Sequence, residues 1–402
     1  MRITSVFNRL LSLQGLWIQG VIFEGSRLVM QIRRRFRLLT CPVCGTTTAG
    51  RESTRRRRWR HLALWGAPVF LEGEVRRLWC RTCNRVVTEE VPWARHNSVF
   101  TRQFEDVVAL LAQQTNKTAV ARLTGISWVT VGAIVDRVVA EGMDADRLKS
   151  LRRIAVDEIS FRKRHKYLTV VSDHDTRRVV WVAEGKSSDV LGRFFQELSP
   201  EVCAIIEIVT MDMSGAYQKA VREALPNAKI AFDHFHIAKL ANEALDTVRR
   251  DLARAADTPE ERKGVKDTRW PLLHREDNLP EKHKDIIATL NPRTPLGRAY
   301  LLKECLLDIL RGCSALPLEH WISWASRSRL RSFVRLAKTL REHIAGVAAF
   351  MLERFTNGLA EGLNNKIRII SHRAFGFHSA SALIAMIYLC CGGITIDCLQ
   401  LV

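Results

Sequence analysis

The spacing of apolar residues changes along the chain, and each change indicates a different kind of structure. In residues 1–95, short apolar stretches alternate with turns and arginine runs, which predicts small β-structure. From residue 101 to about 148, apolar residues recur every three or four positions, as in Phe104, Val108 and Leu111. That period predicts helices.

From Arg152 the helical period gives way to β-branched runs of strand length. The predicted order is β-β-β-α-β-α-β, an α/β sheet that opens with an antiparallel meander and places its first and fourth strands side by side. The strands are Ile154–Val156, Tyr167–Val171, Val179–Val182, Ile205–Val209 and Ala228–Phe232, and the helices are Ser188–Leu198 and Ser214–Leu225.

Beyond His236 the strand pattern stops. The next 110 or so residues are rich in charge and punctuated by prolines, which predicts helices only, and an amphipathic helix follows at Glu353–Ile370. The apolar run Ser379–Ile396 is short for a membrane span and contains Gly392-Gly393, so it predicts a buried core helix.

Charge narrows the class of partner. The 402 residues include 62 Lys+Arg against 42 Asp+Glu, a net charge of +20, and the first 100 residues hold 18 Arg and no Lys. The 47% hydrophobic content excludes a mostly disordered chain. Such a basic chain favours a nucleic acid partner, with an anionic membrane surface as the alternative. With no secretory signal at Leu10–Ile22, we expect a cytoplasmic protein whose ten cysteines are not a disulfide framework.

Two CxxC pairs, Cys41/Cys44 and Cys80/Cys83, have the spacing of a structural zinc site. Four thiolates can close a tetrahedral Zn²⁺ site without an open position for catalysis. The segment between them would supply the strands of a zinc ribbon. The alternative is buried or redox-active cysteines.

Two features predict DNA contact. Arginines 55, 56, 57, 58 and 60 lie between the cysteine pairs, where guanidinium groups suit phosphate and guanine; a solvated charged face is the alternative. Residues 103–139 read as helix, helix, turn, helix, with Ser127 as N-cap of a recognition helix and Trp128 and Thr130 near its start. The alternative there is an ordinary helical hairpin.

Three acids predict a catalytic metal site. Asp157 ends the first strand and Asp212 follows the fourth, so the two carboxylates should lie at corresponding heights. Glu361 lies on the later amphipathic helix, on one face with Asn357, Asn364 and Arg368, and near Lys366. The competing acids are Asp173, Asp175, Asp233 and Glu353, and the roles of Asp233, His234 and His236 stay open.

The motifs resemble those of the ISL3 family of bacterial insertion-sequence DDE transposases. They are the CxxC pairs, Leu123–Val131, Val156–Ser160, Met211–Ser214, Phe232–Glu243, and above all Thr356–Lys366 followed by Arg373–Phe377. The resemblance implies an RNase H-like catalytic domain with an all-helical insertion, preceded by a zinc ribbon and a helix-turn-helix. It also implies that Asp157, Asp212 and Glu361 form the catalytic triad and bind Mg²⁺ or Mn²⁺.

The implied domains are residues 1–98, a basic zinc-ribbon region; 99–150, the helix-turn-helix; 151–237, the first part of the catalytic core; 238–350, the insertion; and 351–402, the final part of the core. The implied activity is cleavage at transposon ends and joining of the 3′ ends to target DNA by two-metal phosphoryl transfer. The expected partners are double-stranded DNA and a second copy of the chain at the nucleoid, with no membrane. The alternatives are a DNA-binding regulator without catalysis and an RNase H-type nuclease.

Overall fold

The computed structural model of the chain describes residues 3–11, 13, 15–48, 51–162, 166–353 and 358–396. The chain divides into two compact units. The first, which we call unit 1, contains residues 1–144 and 369–402, and unit 2 contains residues 145–368. Unit 1 is therefore built from both ends of the chain.

The first part of unit 1 is a short helix followed by β-strands. The elements are α1 (Ile3–Leu11), β1 (Leu16–Glu24), β2 (Arg27–Arg34), β3 (Leu39–Thr40), β4 (Thr47–Thr48), β5 (Ser53–Leu64), β6 (Ala67–Cys80) and β7 (Arg85–Thr88). The main sheet has the strand order β1-β2-β6-β5, with β7 paired to β6, and β2 runs parallel to β6 while the other pairs are antiparallel. Trp59 and Leu71 from the hairpin between the cysteine pairs are buried in its core. The predicted strands are confirmed, in a sheet that also uses the first 34 residues.

Three helices follow, α2 (Arg102–Gln114), α3 (Lys117–Thr124) and α4 (Trp128–Gly142). Gly125 ends α3 with φ of +63°, a left-handed conformation that favours glycine. The side chain of Ser127 accepts a hydrogen bond from the Thr130 backbone N–H and caps α4, as predicted. Helices α3 and α4 meet at 103°, within the usual range of a helix-turn-helix.

Unit 2 contains the predicted α/β sheet. The elements are β8 (Arg153–Arg162), β9 (Lys166–Asp173), β10 (Arg178–Glu184), α5 (Ser188–Glu197), α6 (Pro200–Ile205), β11 (Ile208–Met211), α7 (Gly215–Ala224) and β12 (Lys229–Phe232). The strand order is β10-β9-β8-β11-β12; β8, β9 and β10 form an antiparallel meander, and β11 runs parallel to both β8 and β12. The predicted strand order is confirmed.

The rest of unit 2 is helical, as predicted. Pro259 and Pro295 stand in the first turns of their helices, where a missing N–H costs nothing. Buried side chains of these helices, such as Trp321 and Phe333, belong to the same hydrophobic cluster as the sheet. The helices are α8 (His234–Ala255), α9 (Pro259–Asp267), α10 (Arg269–Leu273), α11 (Glu281–Ala288), α12 (Pro295–Arg311), α13 (Leu318–Arg327), α14 (Arg331–Glu342) and α15 (Ile344–Glu353).

The last two helices are α16 (Gly358–Arg373) and α17 (Ala380–Cys391). Thr356 and Asn357 of the predicted helix lie outside the described residues. Helix α17 is a buried core helix that packs on α2 and α4, and Gln113 donates a hydrogen bond to its Leu389 carbonyl at 2.7 Å. In the described ranges no single helix has the length and apolar composition to cross a membrane. The boundary between the units falls within α16, so the predicted segment 351–402 is divided between them.

Candidate functional site

The four predicted zinc ligands come together in unit 1. All four sulfur atoms lie within 4.8 Å of one another, with Cys41 and Cys83 Sγ 3.9 Å apart and Cys44 and Cys80 Sγ 3.4 Å apart. A tetrahedral ion with Zn–S bonds of about 2.3 Å requires sulfur atoms about 3.8 Å apart. The cluster therefore fits a structural Zn²⁺ site.

Two of the predicted catalytic acids are aligned by strand pairing in unit 2. The parallel pairing of β8 with β11 matches Arg153 with Ile208 and Ala155 with Thr210, partners 55 residues apart. Asp212 follows Asp157 by the same interval, so continuing this register places the two acids at corresponding heights. This supports the expected alignment.

The position of Asp157 within its strand differs from the prediction. Strand β8 continues to Arg162, because residues 154–162 pair with β9, including Asp157 with Val170. Only the pairing with β11 stops at Ala155. Asp157 is thus an interior residue of a long strand at the point where the neighbouring short strand has ended.

The Asp157 carboxyl group carries the clearest electrostatic signal of the site. Burial raises its pKa to about 6, and the nearby Asp212 carboxylate adds to the rise. The Glu158 backbone N–H and the Asn364 side chain donate hydrogen bonds to it at 2.7 and 2.5 Å, which lowers the pKa. The effect of burial and of the neighbouring acid on the Asp157 pKa is therefore larger than the effect of the two hydrogen-bond donors. A bound cation would stabilise the ionised carboxylate and lower that pKa.

Glu361 and Asn364 lie one turn apart on α16. The sequence placed both on one polar face, but Asn364 is buried and donates to Asp157, whereas Glu361 is exposed. The Glu361 carboxylate lies close enough to His234 to favour its protonated form. In the described residues only the four cysteines form a group of three or more ligands within 4.8 Å, so the three acids are more widely spaced than a single-ion site requires.

Asp233 lies beside both histidines of this segment, 3.7 Å from His234 Nδ1, but the other neighbours of the two rings differ. Asp233 is buried, caps α8 through the Phe235 backbone N–H, and lies 2.9 Å from the His236 Nδ1 atom. That contact raises the His236 pKa, and the Asp212 and Asp157 carboxylates add to it. His234 instead stacks on Phe350 with ring centroids 4.8 Å apart, and burial lowers its pKa.

The five arginines predicted to bind DNA lie on β5, and four of them have partners within unit 1. The guanidinium of Arg56 lies 3.6 Å from a carboxylate oxygen of Glu72, and the other three make hydrogen bonds. Arg57 donates to the carbonyls of residues 97 and 98, Arg58 pairs with the carboxylates of residues 24 and 72, and Arg60 donates to the Thr124 carbonyl at 2.7 Å. Arg60 thereby holds the turn after α3. The side chains of Arg55 and Arg56 are exposed.

The other predicted DNA contacts lie at the start of α4 and along α16. The Thr130 hydroxyl is 2.7 Å from the Ser127 hydroxyl in the cap of α4, while Trp128 is 43% exposed and has Lys117 over its ring. Lys366 and Arg368 are exposed.

Sequence reasoning missed two features. The Asn364 contact with Asp157 joins residues 207 positions apart, and no local signal marks it. The other is a groove of about 620 Å³ on α8, α9 and α10, lined by six cationic side chains and Ala253. The close spacing of those cations along three helices was the available signal for the groove; they are Arg249, Arg250, Arg254, Arg262, Lys266 and Arg269.

Comparison with known families gives three matches that together cover most of the chain. An ISL3 DDE family model described as "Transposase" matches residues 154–387, and a "Helix-turn-helix domain of transposase family ISL3" matches residues 89–139. A "zinc-finger of transposase IS204/IS1001/IS1096/IS1165" matches residues 37–83.

Two curated relatives are similar along most of their length. The chain is 38% identical over 401 residues to the "Transposase for insertion sequence element IS1557" of Mycobacterium tuberculosis, covering 92% of this chain and 90% of that protein. It is 29% identical over 361 residues to the "Transposase for insertion sequence element IS1001" of Bordetella parapertussis, covering 88% and 89%.

Proposed function

The chain belongs to the ISL3 family of transposases, and from this premise we propose that it cleaves DNA at the ends of an insertion sequence and joins the 3′ ends to target DNA. The observation that carries the proposal is the parallel register of β8 with β11, which, continued beyond the paired residues, brings Asp157 level with Asp212. The helix α16 adds Asn364 to the same site. We assign the sheet of unit 2 as an RNase H-like core, with helices α8 to α15 as its insertion.

We propose Asp157, Asp212 and Glu361 as ligands of two Mg²⁺ or Mn²⁺ ions. Three carboxylates fit such ions, because hard cations prefer oxygen ligands and keep positions open for water and phosphate. The raised pKa of Asp157 supports this, since a carboxyl group beside a second carboxylate favours a cation. When bound, the ions would activate the attacking hydroxyl and stabilise the leaving oxygen.

The neighbouring side chains would orient the site. Asn364 holds one Asp157 oxygen, which leaves the carboxylate in a fixed direction before any ligand binds. Asp233 favours the protonated form of His236, and in that form the imidazolium would lie in the field of Asp157 and Asp212. A cation at that place suits a phosphate of the DNA backbone.

The DNA-binding regions of the chain would have two different roles, recognition of the element ends and binding of DNA without sequence preference. In this proposal the helix-turn-helix and zinc ribbon select the element ends, and the cationic groove on α8 to α10 holds DNA without reading sequence. Because two ends must be paired, we expect a homodimer, and because the substrate is the chromosome, we expect it at the nucleoid in the cytoplasm.

The test is metal-dependent cleavage of duplexes carrying the sequences that flank this gene. Wild type, Asp157→Asn and the control Asp285→Asn, an exposed acid of α11, would be compared with Mg²⁺ or Mn²⁺. We expect wild type and Asp285→Asn to release 3′ ends and Asp157→Asn to release none. Specific binding with no cleavage by wild type in either metal would instead indicate a DNA-binding regulator.

A further inference from the structure

The turn after α16 has an unusual backbone and an unusual side chain. The Phe375 N–H donates to the His372 carbonyl and the Gly376 N–H to the Ser371 carbonyl, both at 3.0 Å, which forms a Schellman cap. Phe375 therefore occupies the position where glycine is usual, with φ of +55°. The residue is 94% exposed. The left-handed backbone at a non-glycine residue and the exposed phenyl group both lower the stability of the fold, so neither is explained by stability.

This turn lies beside the proposed recognition helix in unit 1. The Arg373 guanidinium donates to the carbonyls of Ala112 and Gln113, the end of α2, at 2.8 and 2.6 Å. The rings of Trp128 and His378 meet edge to face with centroids 5.8 Å apart. These contacts fix the turn next to the first turn of α4.

A cavity of about 270 Å³ separates the two turns. Its walls combine the rings of Trp128, Phe375, Phe377 and His378 with the cations of Lys117 and Arg122. None of the described residues that line it carries a carboxylate. Lys117 also lies in the field of Asp136, which is not among the residues that line the cavity. Rings interleaved with cations form a surface suited to bases and phosphates together.

We propose that residues 372–378 form a second DNA-reading element beside α4, in which Phe375 acts as an apolar wedge against the bases of the element end. The inference rests on the proposed function, because it takes the ends as the DNA that the helix-turn-helix binds. Apolar wedges of this kind partly unstack a base step, and the backbone charge is met by neighbouring cations. Here Lys117 and Arg122 supply those cations.

The test uses the full chain and duplexes carrying the sequences that flank this gene. Phe375→Gly relieves the left-handed backbone, so we expect an unchanged or higher melting temperature together with an end affinity about 5- to 100-fold weaker. Phe23→Ala, which removes an exposed phenyl ring elsewhere in unit 1, should bind the ends as wild type does. Arg122→Gln should lower the salt dependence of binding by about one charge.

A second readout separates a wedge from a merely structural role. With 2-aminopurine placed at successive positions of the end, wild type should raise the fluorescence at one step, and Phe375→Gly should not. Equal affinity and equal fluorescence for wild type and Phe375→Gly would overturn the wedge while leaving the proposed function intact. Failure of wild type to bind either flanking duplex more tightly than random DNA would overturn both.

Discussion

The cysteine cluster of unit 1 and the three acids proposed as metal ligands in unit 2 are built in opposite ways. The four sulfur atoms already lie within 4.8 Å of one another, and the cysteines that carry them come in pairs three residues apart. Asp157 lies on a strand, Asp212 follows the end of the neighbouring strand and Glu361 lies on a helix. Among the described residues these three acids do not converge to that extent. A structural zinc site is closed by four protein ligands, which short loops can bring together before the ion binds. A site for two ions and a DNA strand needs more space between its protein ligands.

The largest effect is expected from breaking the preformed site. Cys80→Ser should release the zinc and unfold the ribbon, because structural zinc contributes about 10–16 kcal/mol in small zinc domains. Zinc content and limited proteolysis of residues 37–83 would measure this. The control is Cys313→Ser, an exposed cysteine of unit 2. Full zinc content and an intact ribbon in Cys80→Ser would remove the contrast between the two sites.

The next effect tests the open site. Glu361→Gln should lower DNA cleavage at least about 1,000-fold while leaving end binding and melting temperature unchanged, since the exposed carboxylate supports no packing. Glu353→Gln is the matched control, because Glu353 is paired with Lys229 at the surface. Equal loss of binding and cleavage in Glu361→Gln would contradict a catalytic role.

A smaller effect is expected from the residue that orients the open site. Asn364→Ala removes a hydrogen bond that lowers the Asp157 pKa, so that pKa should rise above about 6. The acid limb of the pH–rate profile should move to higher pH, with activity about 10-fold lower at neutral pH. Asn365→Ala, on the exposed side of α16, should keep the wild-type profile. A uniform loss of rate with no shift of the limb would argue for a packing role.

The smallest effect concerns the arginines around the preformed site. Arg55→Ala with Arg56→Ala should lower the salt dependence of DNA binding by about two charges, because both side chains are exposed and Arg56 makes only a long contact, 3.6 Å, with Glu72. Arg58→Ala should leave it unchanged, because its guanidinium is paired with Glu24 and Glu72. The dependence of DNA affinity on salt concentration would be measured for wild type and for the two variants. The same slope for all three proteins would exclude β5 from the DNA contact.

Much of the fold follows from local patterns. The sequence predicted the Ser127 cap and the two CxxC pairs, since each depends on residues close together in the chain. It also predicted the strand order of unit 2, because the succession of strands and helices restricts which strands can be neighbours. Strand boundaries were predicted less well. The run beginning at Ile205 reads as strand, but Pro200 starts a helix that ends at that residue, and the strand begins at Ile208.

The periodicity of apolar residues, the N-caps and the cysteine spacing determined which elements form, because they act through neighbouring backbone. Tertiary packing decided what each side chain meets. It extended β8 past Asp157 through its pairing with β9, turned Asn364 inward, and gave Arg58 and Arg60 internal partners. It also packed α17 on the helix-turn-helix. These contacts join distant positions and depend on complementary shape and charge in the folded chain, which no local pattern records.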